Sequence, residues 1–152
     1  MLVRPSRPLD YPISRGKNKD CKYINMVSKI ATAVEPVANA RIAAVMVFRN
    51  EVVSVGICRK KSHPFQAIYG KNKDSIFLHA ETDCIKNAIR NLTLEEISKS
   101  SLYICRVKYE SQEKGKFVFG LAKPCSGCER AIANFDIKKV IYSLNNEGYN
   151  ML

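Results

Sequence analysis

Two apolar runs lie almost end to end in the chain: residues 42–48 (Ile-Ala-Ala-Val-Met-Val-Phe) and residues 52–58, separated only by Arg49-Asn50-Glu51. Runs this short and this rich in β-branched residues pair as a strand hairpin, and their lack of alternation predicts burial on both faces. A hairpin buried twice over needs cover from two sides, and the flanking sequence offers it. Upstream, Ile24, Val27, Ile30, Ala31 and Val34 fall at helical spacing before Pro36, with Asp20 as a plausible cap. Downstream, a polar loop over residues 59–74 leads to Ala80, Cys84, Ile85, Ala88 and Ile89, again at helical spacing, so His79 opens a second helix that runs to about Asn91.

The rest of the chain continues the alternation. Residues 102–107 are rich in strand formers, a turn-like polar stretch contains Gly115, and residues 117–121 resume as apolar. Pro124 then precedes a helical segment over 126–135, and residues 140–144 read as a last strand. Helix, two strands, helix, strand, helix, strand predicts an α/β fold in which a mixed central sheet is sandwiched in three layers, α/β/α. We divide the chain into a basic extended N-terminal arm over 1–22 and one domain over 23–152, with an inserted hairpin at about 107–121. No apolar run approaches the roughly 18 residues of a membrane span, and the N-terminus lacks a signal peptide's apolar stretch, so a cytoplasmic protein without a membrane partner is expected.

Charge narrows the class of partner. Lys and Arg number 25 against 14 Asp and Glu, for a net +11. The excess is concentrated in residues 1–22, 56–74 and 106–123, and such local basic segments favour anionic partners or serve as solvated surface. Phe65, Tyr69, Phe77, Phe117 and Phe119 lie among these basic residues, as a base-stacking surface would require, although loop aromatics also serve to anchor loops to a core.

Two short clusters carry the chemistry. His79-Ala80-Glu81 stands at one helix start and Pro124-Cys125-Ser126-Gly127-Cys128 at another. Alone, a Cys-x-x-Cys is equally a redox pair or half of a structural zinc site. Taken together, His79, Cys125 and Cys128 form a three-ligand set that leaves the fourth position of tetrahedral zinc open, the arrangement of a catalytic ion. Glu81, two residues past His79, need not ligate and can reach a water on that ion. Cys21, Cys84 and Cys105 read as ordinary buried thiols.

The pairing of His-Ala-Glu with Pro-Cys-x-x-Cys resembles the zinc-dependent cytidine and deoxycytidylate deaminase superfamily. The order of elements from about Ile24 to Leu144 is similar to that family's. The resemblance implies a cytidine-deaminase-like fold and a hydrolase acting on a C–N bond other than a peptide bond. One catalytic zinc carrying a water would be held by His79, Cys125 and Cys128. Glu81 would be the catalytic proton shuttle, and the Ala80 backbone would donate to the base. The substrate implied is a nucleobase bearing an exocyclic amine, foremost cytosine in a nucleotide such as dCMP. The alternatives are cytosine or adenine within single-stranded DNA or RNA, and a non-catalytic zinc-containing nucleic-acid-binding protein. Members of the superfamily are commonly oligomeric, which makes a homo-oligomer one expected state.

The chain departs from the family pattern in three places, one being the inserted hairpin at about 107–121 between Glu81 and Pro124. Many relatives carry an Asn two residues after the glycine ending the second strand; here Gly56-Ile57-Cys58 puts Cys58 there. The acidic residue that often precedes Pro-Cys is Lys123, which either attracts a phosphate or faces solvent. Arg59, Lys60 and His63 fall in the loop entering the His79 helix, and are the further candidates for contact with substrate; His63 is equally a structural residue before a proline turn.

Overall fold

The structure, a computed structural model, describes residues 19–37, 40–61, 63–69, 77–109 and 116–152. Most of the expected basic arm therefore lies outside the described residues, and its last residues are helical: α1 spans Lys19–Ala33. Asp20 is not a cap. It lies in the first turn, where its carboxylate accepts a 2.6 Å hydrogen bond from the Tyr103 hydroxyl and pairs with Lys139 at 2.9 Å.

The hairpin consists of β1 (Arg41–Phe48) and β2 (Glu51–Ile57), paired antiparallel. Its connection is the two-residue Arg49-Asn50, with φ of 52° and 64°, the left-handed pair that lets a tight turn follow the twist of its strands. Burial on both faces holds for Ala43–Val47 of β1 but not for β2, which leaves Val55 40% exposed. The reason is topological. The sheet order is β2-β1-β3-β5-β6, so β2 is an outer strand.

The central strand β3 (Ser101–Tyr109) is antiparallel to β1. Its other edge is shared. Ser101–Ile104 pair in parallel with β5 (Lys139–Ser143), while Arg106–Tyr109 pair antiparallel with β4 (Phe117–Gly120). At this fork the buried Ser143 hydroxyl donates to the Gly120 carbonyl at 2.7 Å and accepts from the Arg106 amide at 3.1 Å. Tyr109 stacks on Phe117 across β3–β4, and the Arg41 guanidinium lies over both rings. A short β6 (Tyr149–Met151), absent from the sequence reading, closes the sheet against β5.

Helices cover both faces, making three layers. Tyr23, Ile24, Val27 and Ala31 of α1 pack on Ala43, Val45, Tyr103, Cys105 and Val107. On the opposite face, α3 (Ala80–Ile89) and α5 (Ser126–Asn134) cover Ala44, Met46, Leu102, Ile104 and Val140. Two further helices escape the periodicity argument because each is barely a turn and a half. In α4 (Leu94–Ser98), Thr93 and Glu96 form a reciprocal capping box. In α2 (Pro64–Tyr69), proline opens the first turn of what the sequence suggests is loop.

What places α3 is its approach to β2. A Cβ at Gly56 would stand 2.2 Å from the Ala80 carbonyl oxygen and 2.3 Å from the Cys84 nitrogen. Ser54 Oγ donates to the Cys84 carbonyl at 2.6 Å, and the Asn87 amide donates to Val55 O at 2.9 Å. Fully buried Asp83 accepts from the Ile57 amide at 3.0 Å, with Arg59 Nε at 3.2 Å and Lys86 Nζ at 3.3 Å completing its partners. Because both obstructing groups are backbone, Gly56→Ala should push α3 outward and lower unfolding free energy by about 3 kcal/mol or more, measured by urea denaturation. A loss below about 1 kcal/mol would mean that the two elements are free to separate.

Candidate metal centre and cleft

The two helices that begin at the chemical clusters bring their N-termini together. His79 is the N-cap of α3, with extended backbone at φ −79° and ψ 159°, and its imidazole makes no capping bond. The ring faces α5 instead: Nδ1 is 3.6 Å from Cys125 Sγ and 3.3 Å from Cys128 Sγ. Cys125 is the N-cap of α5, its sulfur accepting from the Cys128 amide at 3.5 Å. The three donor atoms lie within 4.8 Å of one another. Zinc bonds of about 2.3 Å to sulfur and about 2.0–2.1 Å to nitrogen give a tetrahedral N–S edge of roughly 3.5–3.6 Å. The donor set and its spacing therefore fit zinc.

The His79 backbone is held from α2. Gln66, almost fully buried there, accepts at its carbonyl oxygen from the His79 amide at 3.1 Å and from the Thr82 hydroxyl. The sequence reading missed Gln66, since nothing local marks it. On the other side, a Cβ at Gly127 would lie 2.6 Å from the Tyr69 carbonyl oxygen, so glycine lets α5 rest against the end of α2, where Arg130 also donates to that carbonyl.

The two thiols share a hydrogen bond. Hydrogen bonds from Cys128 and His79 hold the Cys125 thiol down to about 3, and the same bond, with burial, pushes Cys128 strongly upward. The His79 imidazole is raised, chiefly by its bond to Cys125. Burial raises the carboxyl of Glu81, which is only 6% exposed in the first turn of α3. A carboxyl so placed holds its proton to higher pH than an exposed one, as a group that accepts and returns protons must.

A cleft of about 210 Å³ opens beside these residues, lined by His79, Ala80, Glu81 and Cys125 together with Ile42, Cys58, Arg106 and Lys123. Of the expected substrate contacts, Ala80 and Lys123 lie on it. Cys58 is on its wall as a neutral thiol, pushed up to about 11 mainly by burial. Arg59 is committed to Asp83, and Lys60 lines a neighbouring cleft of about 320 Å³ beyond Cys58. His63 accepts at Nδ1 from the Phe65 amide at 3.0 Å, the structural alternative. The aromatic residues divide the same way. Phe117, Phe119 and Tyr69 are buried, Phe65 packs between Tyr69 and Phe135, and Phe77 is exposed.

Arg106 is the lining residue that the sequence reading did not single out. Its signal is a lone cation inside the apolar run Leu102–Val107, counted there only as part of a basic segment. Its Nε is buried without a hydrogen-bond partner, and leaving a buried charged donor unmatched costs about 1–3 kcal/mol or more.

The family model for the cytidine and deoxycytidylate deaminase zinc-binding region matches residues 17–144. No curated protein sequence matches significantly. Among solved structures, the dCMP deaminase of cyanophage S-TIM5 in its apo form is similar in fold, with a TM-score of 0.55 at 16% identity over 83% of this chain and 82% of that one. The same enzyme in complex with dCMP and dUMP gives a TM-score of 0.50 at 16% identity, over 81% and 79%. No helix among the described residues is long and apolar enough to cross a membrane.

Metal binding to this set requires the Cys128 thiol, pushed up from its ordinary value, to lose its proton, so adding zinc to metal-free protein at pH 7 should acidify a weakly buffered solution. Cys125→Ala should abolish stoichiometric zinc by elemental analysis. Gln66→Leu should keep the three ligands yet weaken zinc about tenfold in a chelator competition, because the His79 amide loses its partner. Zinc content of Cys125→Ala equal to wild type would refute the assignment.

Proposed function

Given that the chain belongs to the cytidine and deoxycytidylate deaminase family, we propose that it hydrolyses the exocyclic amine of cytosine in a nucleotide such as dCMP. The products are the corresponding uracil nucleotide and ammonia. The observation that carries this reading is the convergence of His79, Cys125 and Cys128 with the buried carboxyl of Glu81 on one small cleft. The cyanophage enzyme of similar fold, described in complex with dCMP and dUMP, supports the choice of a nucleotide.

His79, Cys125 and Cys128 would hold zinc. When bound, the ion supplies a Lewis acid that lowers the pKa of water from 15.7 to about 7. Glu81 accepts the proton of the attacking water and passes it to the ring nitrogen beside the amine-bearing carbon. It then carries the remaining proton of the added oxygen to the amine, the C–N bond breaks to release ammonia as the carbonyl forms, and one water is consumed for each ammonia released. The Ala80 amide, in the first turn of α3, donates to the base. Ile42 and the neutral Cys58 thiol form the less polar walls, and Cys58 offers little to a sugar hydroxyl compared with an asparagine side chain.

Glu81→Gln is the direct test. It should bind zinc in a 1:1 ratio and lose at least about 10³-fold in ammonia release from dCMP, since proton transfer is removed while the ligands remain. Mass spectrometry of products across nucleosides, nucleotides, oligonucleotides and transfer RNA checks the substrate. Turnover confined to oligonucleotides would overturn the nucleotide reading, and full activity of Glu81→Gln would overturn the role of the carboxyl.

A further inference from the structure

Arg106 occupies an unusual place for a cation. It continues the inward-facing row Leu102, Ile104 on β3, whose first members pack beneath α3 and α5, and it appears where that row reaches the cleft. Its register neighbours are Ile42 on β1 and Gly120 on β4, an apolar side chain and none at all. A Cβ at Gly120 would come within 3.0 Å of Arg106 Cγ and Cδ, so the arginine stem lies across the glycine. Ser143 fixes the backbone beneath, bonding to the Arg106 amide and the Gly120 carbonyl. Its Nε has no hydrogen-bond partner among the described residues. Glu81 is the acidic residue lining the cleft, and Lys123 adds a second cation to it.

A guanidinium whose Nε is buried without a partner beside a cleft is suited to a tetrahedral oxyanion, since an arginine can grip one through two parallel N–H bonds. We propose that Arg106 is the phosphate receptor of the cleft, selecting nucleoside monophosphates over nucleosides, with Gly120 the residue that gives its stem room. This rests on the deaminase reading of the zinc site and deepens it. The phosphate is gripped from the sheet, at the fork where β4 leaves β3, and not from the basic loop containing Arg59 and Lys60. Arg106 touches the substrate remote from the reacting carbon, so its effect belongs in KM more than in kcat.

The test compares zinc-loaded wild type with Arg106→Gln. The ratio of kcat/KM for dCMP to that for deoxycytidine should fall about 10- to 100-fold, carried by KM, and Arg106→Lys should lie between. Calorimetric titration with dUMP and deoxyuridine reads the same preference without turnover: Arg106→Gln should lose about 10- to 100-fold in dUMP affinity relative to deoxyuridine. Gly120→Ala, which crowds the stem but keeps the charge, should move both ratios in the same direction and serves if Arg106→Gln fails to fold. Equal dUMP affinity in wild type and Arg106→Gln, no dUMP binding by wild type, or equal losses for phosphorylated and unphosphorylated ligands would overturn the assignment. Absence of ammonia release from every nucleotide, with dUMP binding still dependent on Arg106, would instead refute the deaminase reading alone.

Discussion

The backbone contact between β2 and α3 is the constraint on which the site depends. Any side chain at position 56 would collide with peptide atoms of α3, so the helix rests directly on the strand. Buried Asp83 then locks the helix along its length to the Ile57 amide and to Arg59, and the Ser54 and Cys84 bonds fix its rotation. A helix held this closely carries its first residues to a defined point in space. The contact of Gly127 with the Tyr69 carbonyl does the same for α5, and the candidate metal-ligand set is the meeting point of two helix starts fixed by two glycines.

Placing ligands at helix starts has an electrostatic advantage and a structural cost. Helix N-termini favour anionic sulfur, and Cys125 also caps its own helix, so one atom serves both ends. His79 does not do likewise, because its imidazole is turned toward the cysteines. Gln66 anchors the His79 amide and the Thr82 hydroxyl from α2, which makes the segment between β2 and α3 part of the metal centre's support.

How much of this could be read from sequence follows from the range of each interaction. The hairpin, the helices carrying Ile24 and Ala88, and the His79, Glu81, Cys125, Cys128 set were legible because periodicity and short spacings encode them locally. The shortest elements, α2, α4 and β6, contain too few residues for a period to show. Burial of β2 was overestimated because a continuous apolar run does not reveal whether a strand is central or outermost. Arg59, Lys60 and His63 are candidates for substrate contact because charge is visible in sequence, whereas the ion pair of Arg59 with Asp83 is not. Conversely, Arg106 was hidden in a count of basic residues, although a cation interrupting a buried strand is the stronger signal.

The ligands come from segments 46 and 49 positions apart, and no short peptide of the chain contains them all. An ion held by all three therefore recognises the folded arrangement and has little hold on the unfolded chain. By mass action its binding energy adds to the stability of the whole sheet, by roughly 2.7 kcal/mol when free zinc stands 100-fold above its dissociation constant. Such an ion doubles as a long-range crosslink, closing a loop that spans α3, α4, β3 and β4, and the supply of free zinc becomes one of the variables that set how long the folded protein persists.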